Sequence, residues 1–439
     1  MDVSPLDSGP KRHADAGDAV ESLLHSDKVL DPSFVVVDGS ERPIAGPSAI
    51  LLTGATGFLG SFILNDLLDR TDAEIFCLTR DPSAAAGRAR VAQNLRDCEL
   101  RDGLPQGRLH VFHGDVLKPC LGLAEADYRS LAREIDGVVH SAAVINFYHP
   151  YERLRAANVG GTREILAFAN QGRAKILHYI SSSGVFDSRP YWGSVVRESD
   201  RPLQCDKGVT GYTQSKWVAE CLVAAARDRG LPVCIHRPPF ITGHSQSGVV
   251  GLDNLIVRMM VGCIQGGFWP DVWSPVDLVP VDYVSRAVAT LVGDPMSLGR
   301  TFHYGAPGGL RWADIGRALL AAGFGVEMTP YGRWKQELRR FTRVGQNALR
   351  PLAPLFLKPN PRLAKPVPDV FIQPPRPFFD STVTREYLSS LGIDTPVLDQ
   401  GLFARYCDFF MRKGWVAPRV EIQLGADGLA APAAPRSHG

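Results

Sequence analysis

The chain has 439 residues, 45% of them hydrophobic and 21% charged, with a formal net charge of +2. That length supports one large α/β unit with a smaller appended region, and the near-neutral balance argues against a protein whose main business is nucleic acid, which calls for a strongly basic surface. The eight cysteines, at 77, 98, 120, 205, 221, 234, 263 and 407, lie no closer than thirteen positions apart, so no CxxC metal or redox pair exists and no metal site is expected.

The N-terminus, MDVSPLDSGPKRHADAGDAV, has no apolar signal segment, and nothing later approaches the ~18 apolar residues of a membrane span. A cytoplasmic protein is expected, its cysteines small buried residues in a reducing compartment. Residues 1–47 read as a flexible leader, with only VVVDG at 35–39 strand-like.

Short apolar runs then recur: AILLTG from Ala49, EIFCLT from Glu74, LHVFHGD from Leu109, GVVHSAA from Gly137, ILHYISSS from Ile176, PVCIHRP from Pro232 and TFHYG from Thr301. Helix-period segments separate most of them; Leu59, Phe62, Ile63 and Leu67 make one apolar stripe after the first. Strands apolar on both faces, alternating with amphipathic helices, predict a doubly wound parallel sheet, a Rossmann fold over residues 48–310. A smaller, mostly helical cap is expected over 311–420. Within it, nine prolines between Pro351 and Pro377 predict an extended surface-following loop. The tail over 421–439 is too poor in apolar residues to order itself.

LLTGATGFLG places Gly54, Gly57 and Gly60 between the first strand and the first helix. Such glycines allow a tight turn, backbone approach to a pyrophosphate and close helix packing, with the helix N-terminus facing the anion. Thr56, Phe58 and Leu59 belong to the same loop. Twenty residues beyond Gly60 the second strand ends in Arg80, where an acid would hold the ribose hydroxyls of NAD and an arginine meets the 2′-phosphate of NADP. Arg80 favours NADP, Asp81 beside it argues the other way, and Arg90 offers a second clamp. Gly114, Asp115 and Val116 after the third strand, and Ser141, Ala142 and Ala143 after the fourth, fall where cofactor-contacting loops belong, as does Pro238 after the sixth.

The fifth strand ends in Ser181-Ser182-Ser183, and GYTQSKWVAE puts Tyr212 four positions before Lys216, hence on one helix face. A cation beside a phenol lowers its pKa, and a hydroxyl, a phenol and an ammonium near a nicotinamide suffice to polarise a carbonyl and protonate its oxygen. Phe268, Trp269 and Trp273 in GGFWPDVWSP either line an acyl or pantetheine channel or pack in the core.

In these motifs the chain resembles the extended short-chain dehydrogenase/reductase superfamily over about residues 48–310. The resemblance implies that Tyr212 is the proton donor, that Lys216 binds ribose and acidifies the phenol, and that Ser182 hydrogen-bonds the substrate oxygen, with Ser181 and Ser183 as rivals. Asn158 in NVGGT matches the asparagine that supports the lysine. HSAAVINFYHPYERLRAANVGGTREILAFA, RPPFITGHSQSG, DLVPVDYV and LGIDTPVLDQGLFARYCDFFMRKGW further resemble the thioester reductase domains that end nonribosomal peptide and polyketide assembly lines and carboxylic acid reductases, from about Val29 to Trp415. That likeness implies reduction by NADPH of an acyl or peptidyl thioester on a phosphopantetheinyl carrier, through a hemithioacetal to an aldehyde, with a second reduction to an alcohol left open. VLDPSF at 29–34 resembles the linker that follows a carrier domain, and since no carrier motif precedes it, a carrier supplied in trans is expected. The alternatives are a fatty acyl-CoA, sugar-nucleotide or sterol reductase of the same superfamily, and a non-catalytic NADP-binding sensor or scaffold.

From Arg333 to Arg376 ten basic residues (Arg333, Lys335, Arg339, Arg340, Arg343, Arg350, Lys358, Arg362, Lys365, Arg376) stand against Glu337 and Asp369, a local charge of +8 that leaves −6 for the rest. Such an asymmetry predicts a basic face for docking an acidic carrier protein.

Overall fold

The computed structural model describes residues 11–37, 46–206, 208–306, 309–343, 347–359, 366, 368 and 376–417. Seven strands, β1 (Ala49–Thr53), β2 (Glu74–Thr79), β3 (Leu109–His113), β4 (Gly137–His140), β5 (Ile176–Ile180), β6 (Val233–Arg237) and β7 (Thr301–His303), form one sheet in the order β3-β2-β1-β4-β5-β6-β7. Every pairing is parallel. All five residues of β1, β5 and β6 are buried, because helices cover both faces. The order reverses between β1 and β4, and their carboxyl ends open the crevice in which ligands of such sheets bind.

The first helix, α1 (Lys11–Asp27), precedes the sheet; α2 (Phe58–Arg70), α3 (Ala84–Asp97) and α4 (Glu125–Glu134) follow β1, β2 and β3. Between β4 and β5 run α5 (Tyr151–Arg155) and α6 (Gly161–Ala169), joined by one π-helical turn at Ala156–Gly160. The long α7 (Gly211–Asp228) leads into β6. Buried Ile63, Leu67, Val91, Leu95, Val284 and Val288 pack one face of the sheet, while Tyr128, Ile165, Phe168, Trp217 and Leu222 pack the other. The fold is the expected α/β Rossmann architecture. No helix among the described residues is long and apolar enough to cross a membrane.

The leader departs from expectation. Residues 11–27 are helical, and Val20, Leu24 and Leu30 are buried against the α4–α6–α7 face. Asp27, 2% exposed, accepts hydrogen bonds from Tyr151 Oη and Arg155 Nη2, both at 2.6 Å. Residues 30–34 are pinned by Arg229, which donates to the carbonyls of Leu30 and Phe34. Residues 35–37 form no strand; Asn170 takes their backbone bonds, donating to the Val35 carbonyl at 2.8 Å and accepting from Val37 N at 2.9 Å. A polar composition suggests flexibility here, but the apolar spacing of Val20, Leu24 and Leu30 outweighs it by giving the segment a face to bury.

The cap comprises α8 (Leu255–Gly266), α10 (Trp312–Ala321), α11 (Tyr331–Phe341), α12 (Ala353–Leu357) and α14 (Gln400–Arg412), while α9 (Val281–Val292) and α13 (Thr382–Ser390) lie with the sheet. Its core joins Met259, Met260, Trp269, Ile315, Trp334, Leu338, Leu349, Phe403 and Phe410. The boundary expected at 310/311 is therefore not a boundary in space. Residues 249–278 belong to the cap core, the chain returns to the sheet for α9 and β7, and Leu388 and Ile393 pack beside Phe302 and Tyr304. Of the proline-rich stretch, Ala353–Leu357 is helical rather than extended; most of the rest, and the 421–439 tail, lie outside the described residues.

Candidate active site

The turn between β1 and α2 is shaped for a pyrophosphate. Gly54 has φ +79°, and a β-carbon there would stand 2.8 Å from the backbone nitrogen of Ala142. A β-carbon on Gly60 would collide with the Gly54 carbonyl, so both positions require glycine. Gly57 is the N-cap of α2 and has no capping side chain, which leaves the first N–H groups of the helix for an anion. Thr56 is fixed from outside: Asn94 of α3 donates to its carbonyl. Phe58 and Leu59 start α2 and pack toward the cap core.

Around this turn stand the other expected cofactor residues. Ser141, Ala142 and Ala143 leave β4 beside Gly54, and Ala142 N donates to Thr53 Oγ1 at 3.3 Å. Asp115 folds back on its own loop, its carboxylate accepting from Leu117 N at 3.0 Å, and Val116 lies against Gly161 at the start of α6. Pro238 follows β6, and its carbonyl accepts from Ser183 N at 3.0 Å. At the end of β2 Arg80 is exposed, with no bonded partner among the described residues. Arg90 is turned onto Asp81, 3.4 Å from Oδ1, while Asp81 Oδ2 is a buried acceptor without a partner among the described residues. The glycine cradle, the uncapped helix start and this orphaned oxygen fit a dinucleotide.

The elements that carry the expected catalytic side chains come together at the same edge, where the turn holding Ser182 approaches Thr213 of α7 and Lys216 reaches the end of β5. Gly211 lets α7 begin against the loop at His149–Tyr151, where a β-carbon would clash with backbone, and the Thr210 hydroxyl caps the helix by accepting from Thr213 N at 3.1 Å. Tyr212 and Lys216 follow on the first turns. The Tyr212 ring packs edge-on against Phe147, centroids 5.5 Å apart. Burial pushes its phenol up to about 12. Lys216 is directed elsewhere: Nζ donates to Tyr179 Oη at 2.8 Å and to the Ile180 carbonyl at 2.6 Å. Burial draws the Lys216 ammonium down to about 7, with Glu220 acting in the opposite sense.

The three serines are distinguished by their partners. Ser181 is buried and donates to Glu220. Ser183 opens a 3₁₀ turn, Ser183–Phe186, for which Ser182 is the cap, its Oγ accepting from Gly184 N at 3.1 Å. Asn158, in the π-helical turn, accepts from Val144 N at 2.8 Å and donates to Ser215 Oγ at 2.8 Å. It thus ties the loop after β4 to α7 through Ser215, one residue from Lys216. A π turn has an extra backbone residue per turn, which lets it aim a side chain an α-helix could not.

Sequence reasoning missed four residues here. Glu220 and Arg237 form a buried pair beneath the serines, and Asp187 and Thr213 border an apolar cavity of ≈ 140 Å³ with Phe147, Phe240, Met259 and Trp334. The spacing of Glu220 four residues after Lys216 was a readable signal. Of the three candidate channel aromatics, Trp269 is core, Trp273 is exposed beneath Arg311 and Arg317 and Phe268 packs on the cap core; Pro270, Val272 and Ser274 of the same segment line the cavity instead.

Comparison with known proteins agrees with this geometry. Residues 52–288 match the NAD-binding family described as Male sterility protein. A linear gramicidin synthase polypeptide of Brevibacillus parabrevis is 35% identical over 89% of this chain and 8% of its own length. L-2-aminoadipate reductase of Schizosaccharomyces pombe is 33% identical over 78% of this chain and 24% of its own, so the chain spans a small part of these curated relatives. Among solved structures, the terminal R domain from the myxalamid PKS-NRPS biosynthetic pathway superposes with a TM-score of 0.81 at 36% identity, covering 91% of this chain and all of that one. The chain therefore belongs to the Male sterility protein family of NAD-binding domains, as an extended short-chain dehydrogenase/reductase built like the terminal reductase domains of nonribosomal peptide and polyketide assembly lines.

Proposed function

We propose that the protein is an NADPH-dependent reductase that takes an acyl or peptidyl group from a thioester on a phosphopantetheinyl carrier and releases it as an aldehyde. One observation carries the reading: the Ser182 hydroxyl and the helix bearing Tyr212 and Lys216 stand at the sheet edge that holds the glycine turn, and Phe147, on which Tyr212 packs, and Thr213, next to it on the helix, border the apolar cavity. The names of the relatives, a peptide synthase and an aminoadipate reductase, support the thioester.

In this reading Gly54, Thr56, Gly57, Phe58 and Leu59 wrap the pyrophosphate, and Asp115, Val116, Ser141, Ala142, Ala143, Asn158 and Pro238 border the rest of the dinucleotide. Arg80 faces the 2′-phosphate, with Arg90 released from Asp81 to join it. The bound nicotinamide supplies hydride to the carbonyl carbon. Ser182 acts on the carbonyl oxygen because Ser181 is committed to Glu220, and Ser182 and Tyr212 together meet the negative charge that grows there. A phenol with a pKa of about 12 stays protonated through the neutral range and donates its proton to that oxygen only as the oxygen becomes strongly basic. Lys216 spends two of its three N–H donors on Tyr179 and Ile180, leaving the third for a ribose hydroxyl. Opening of the hemithioacetal then expels the carrier thiol.

The carrier is proposed to dock on α11 and the residues just after it, where Trp334 and Leu338 face inward and Arg339, Arg340 and, beyond the helix, Arg343 are exposed. The basic face is smaller than the sequence implies: Arg333 and Arg340 pair with Glu327 and Glu337, Arg376 is turned inward to Asp187, and Arg362 and Lys365 lie outside the described residues.

The test offers purified protein NADPH or NADH with an acyl-pantetheine thioester, a carrier-bound thioester, an acyl-CoA or a free aldehyde, following cofactor fluorescence and trapping the product. NADPH consumption with carrier or pantetheine thioesters and a trapped aldehyde is expected. Consumption with acyl-CoA alone makes the enzyme an acyl-CoA reductase, and consumption of free aldehyde alone removes the thioester claim.

A further inference from the structure

Gly184 sits between Ser182 and Asp187 in the turn that follows β5. A β-carbon on Gly184 would stand 3.3 Å from Ser182 Oγ, 3.4 Å from Asp187 Oδ2 and 3.7 Å from Thr213 Oγ1. Three oxygens from two elements therefore converge on one small space, kept open because residue 184 has no side chain. Two of the three, Asp187 and Thr213, line the apolar cavity.

Asp187 is held firmly enough to read a ligand. Arg376 donates to its Oδ1, and its backbone carbonyl accepts from Trp192 Nε1 at 3.1 Å. Oδ2, the oxygen facing Gly184, accepts no hydrogen bond among the described residues, and 21% of the side chain is exposed. Asp187 and its partner Arg376 both stand on the wall of the otherwise apolar cavity, so the carboxylate presents a polar face there. An acceptor with no protein donor at the wall of an apolar pocket is left to water or to a donor that a ligand brings.

We propose, building on the thioester reading above, that Asp187 selects the substrate: its Oδ2 accepts a hydrogen bond from a nitrogen on the carbon next to the thioester carbonyl, so that aminoacyl or peptidyl thioesters are taken in preference to plain fatty acyl ones. Such a nitrogen lies about 2.5 Å from the carbonyl carbon, two bonds away. With the carbonyl oxygen on Ser182, the nitrogen falls in the space over Gly184, within reach of Asp187. A chain with methylene at that position leaves Oδ2 unpaired, and sites built to hydrogen-bond a substrate discriminate strongly against analogues that cannot.

The test compares two pantetheine derivatives that differ only in this nitrogen, an aminoacyl form and its des-amino counterpart. Each is used as a thioester for turnover and as an unreactive amide for calorimetric binding, with wild type, D187A and G184A. The wild type is expected to favour the amino form by tenfold or more in both measurements, and both variants to bring that ratio toward one. G184A fills the space while leaving the Asp187–Arg376 pair in place, so it remains informative if D187A folds poorly. Equal treatment of the two forms by the wild type, or an unchanged ratio in both variants, overturns the proposal. If neither thioester is reduced while the amides still bind with the expected ratio, the reductase reading fails and the selection by Asp187 stands.

Discussion

Glu220 accepts two hydrogen bonds from Arg237, 3.1 Å from Nε and 2.7 Å from Nη2, with the two side chains 1% and 2% exposed. The pair is a joint between layers. Glu220 on α7 also accepts from Ser181, next to Ser182, and Arg237 at the end of β6 reaches His303 Nε2 at 3.0 Å and the Asp200 carbonyl at 2.9 Å. Arginine has no acceptor, so His303 Nε2 must accept, and Nδ1 then carries the hydrogen that is donated to the Asp380 carbonyl at 3.0 Å. Burial holds this imidazole neutral, its pKa lowered to about 3. Replacing one member, as in E220A, strands a buried charge and is expected to cost about 3–5 kcal/mol, whereas E220L with R237M recovers much of the loss. Denaturant midpoints of the two variants check this; an E220A protein as stable as wild type refutes the joint.

The Tyr212 hydroxyl has no hydrogen-bond partner among the described residues, so Y212F removes chemistry and little structure. Stability is expected to change by less than about 1 kcal/mol. Turnover is expected to fall about 10²–10⁴-fold, the usual contribution of a positioned proton donor, with KM little changed. Single-turnover cofactor oxidation beside a thermal melt separates the two effects.

Lys216 supplies a pH dependence whose sign is fixed. Its pKa is lowered by burial to about 7 from an unfolded value of 10.5. Between these limits the unfolded chain holds a proton that the folded one has lost, so the lysine makes stability rise with pH, by at most about 1.4 kcal/mol per pH unit. Below about pH 7 both states are protonated and the full burden of a buried ammonium is present. K216M is therefore expected to be more stable than wild type at pH 6, with the gap narrowing toward pH 10. A gap that is flat with pH shows that the amine is not desolvated.

All seven strands of the sheet were legible because a parallel sheet covered on both faces writes itself as short, uninterrupted apolar runs. The glycine turn and the Tyr212–Lys216 spacing were legible because they are local in sequence. What was not legible depends on distant partners. Tyr212 and Lys216 share a helix face, but the sequence does not show that Tyr179 and Ile180 would draw the amine away. Asp187 looks like a polar turn residue until Arg376, nearly two hundred positions on, is placed beside it. The same holds for Asp27, whose partners are on α5 and α6.

Arg339, Arg340 and Arg343 are exposed on α11 and just beyond it, and Arg340 is 84% exposed with Glu337 3.8 Å away. A pair so exposed and so loose leaves the guanidinium able to steer a partner, since exposed ion pairs contribute about 0–1 kcal/mol. Charge reversal at all three is expected to lower kcat/KM for a carrier-bound thioester about tenfold or more at low salt, to weaken its salt dependence, and to leave the free pantetheine thioester unaffected. Equal effects on both substrates would show that the patch does not dock the carrier.

Asp27 anchors α1 to the catalytic layer. Burial by itself would raise its carboxyl, but the hydrogen bonds from Arg155 and Tyr151, with the charge of Arg155, outweigh burial and hold it below the ordinary 3.8. A depressed carboxylate gives stability that is present at neutral pH and lost as the pH falls through the folded value. The N-terminal helix is thus expected to come loose in acid before the sheet does. D27A is expected to cost about 3 kcal/mol or more, since Arg155 and Tyr151 lose their shared acceptor, and D27N less, because the amide oxygen still accepts. Limited proteolysis read at pH 7 tests this: cleavage within 11–37 should be fast in D27A, intermediate in D27N and slow in wild type. Because Lys28 lies 5.1 Å from the centre of the Trp217 ring, next to Lys216, D27A should also lower turnover by a factor of a few. Rapid cleavage with unchanged turnover would mean that α1 is held by Asp27 yet contributes nothing to the active site.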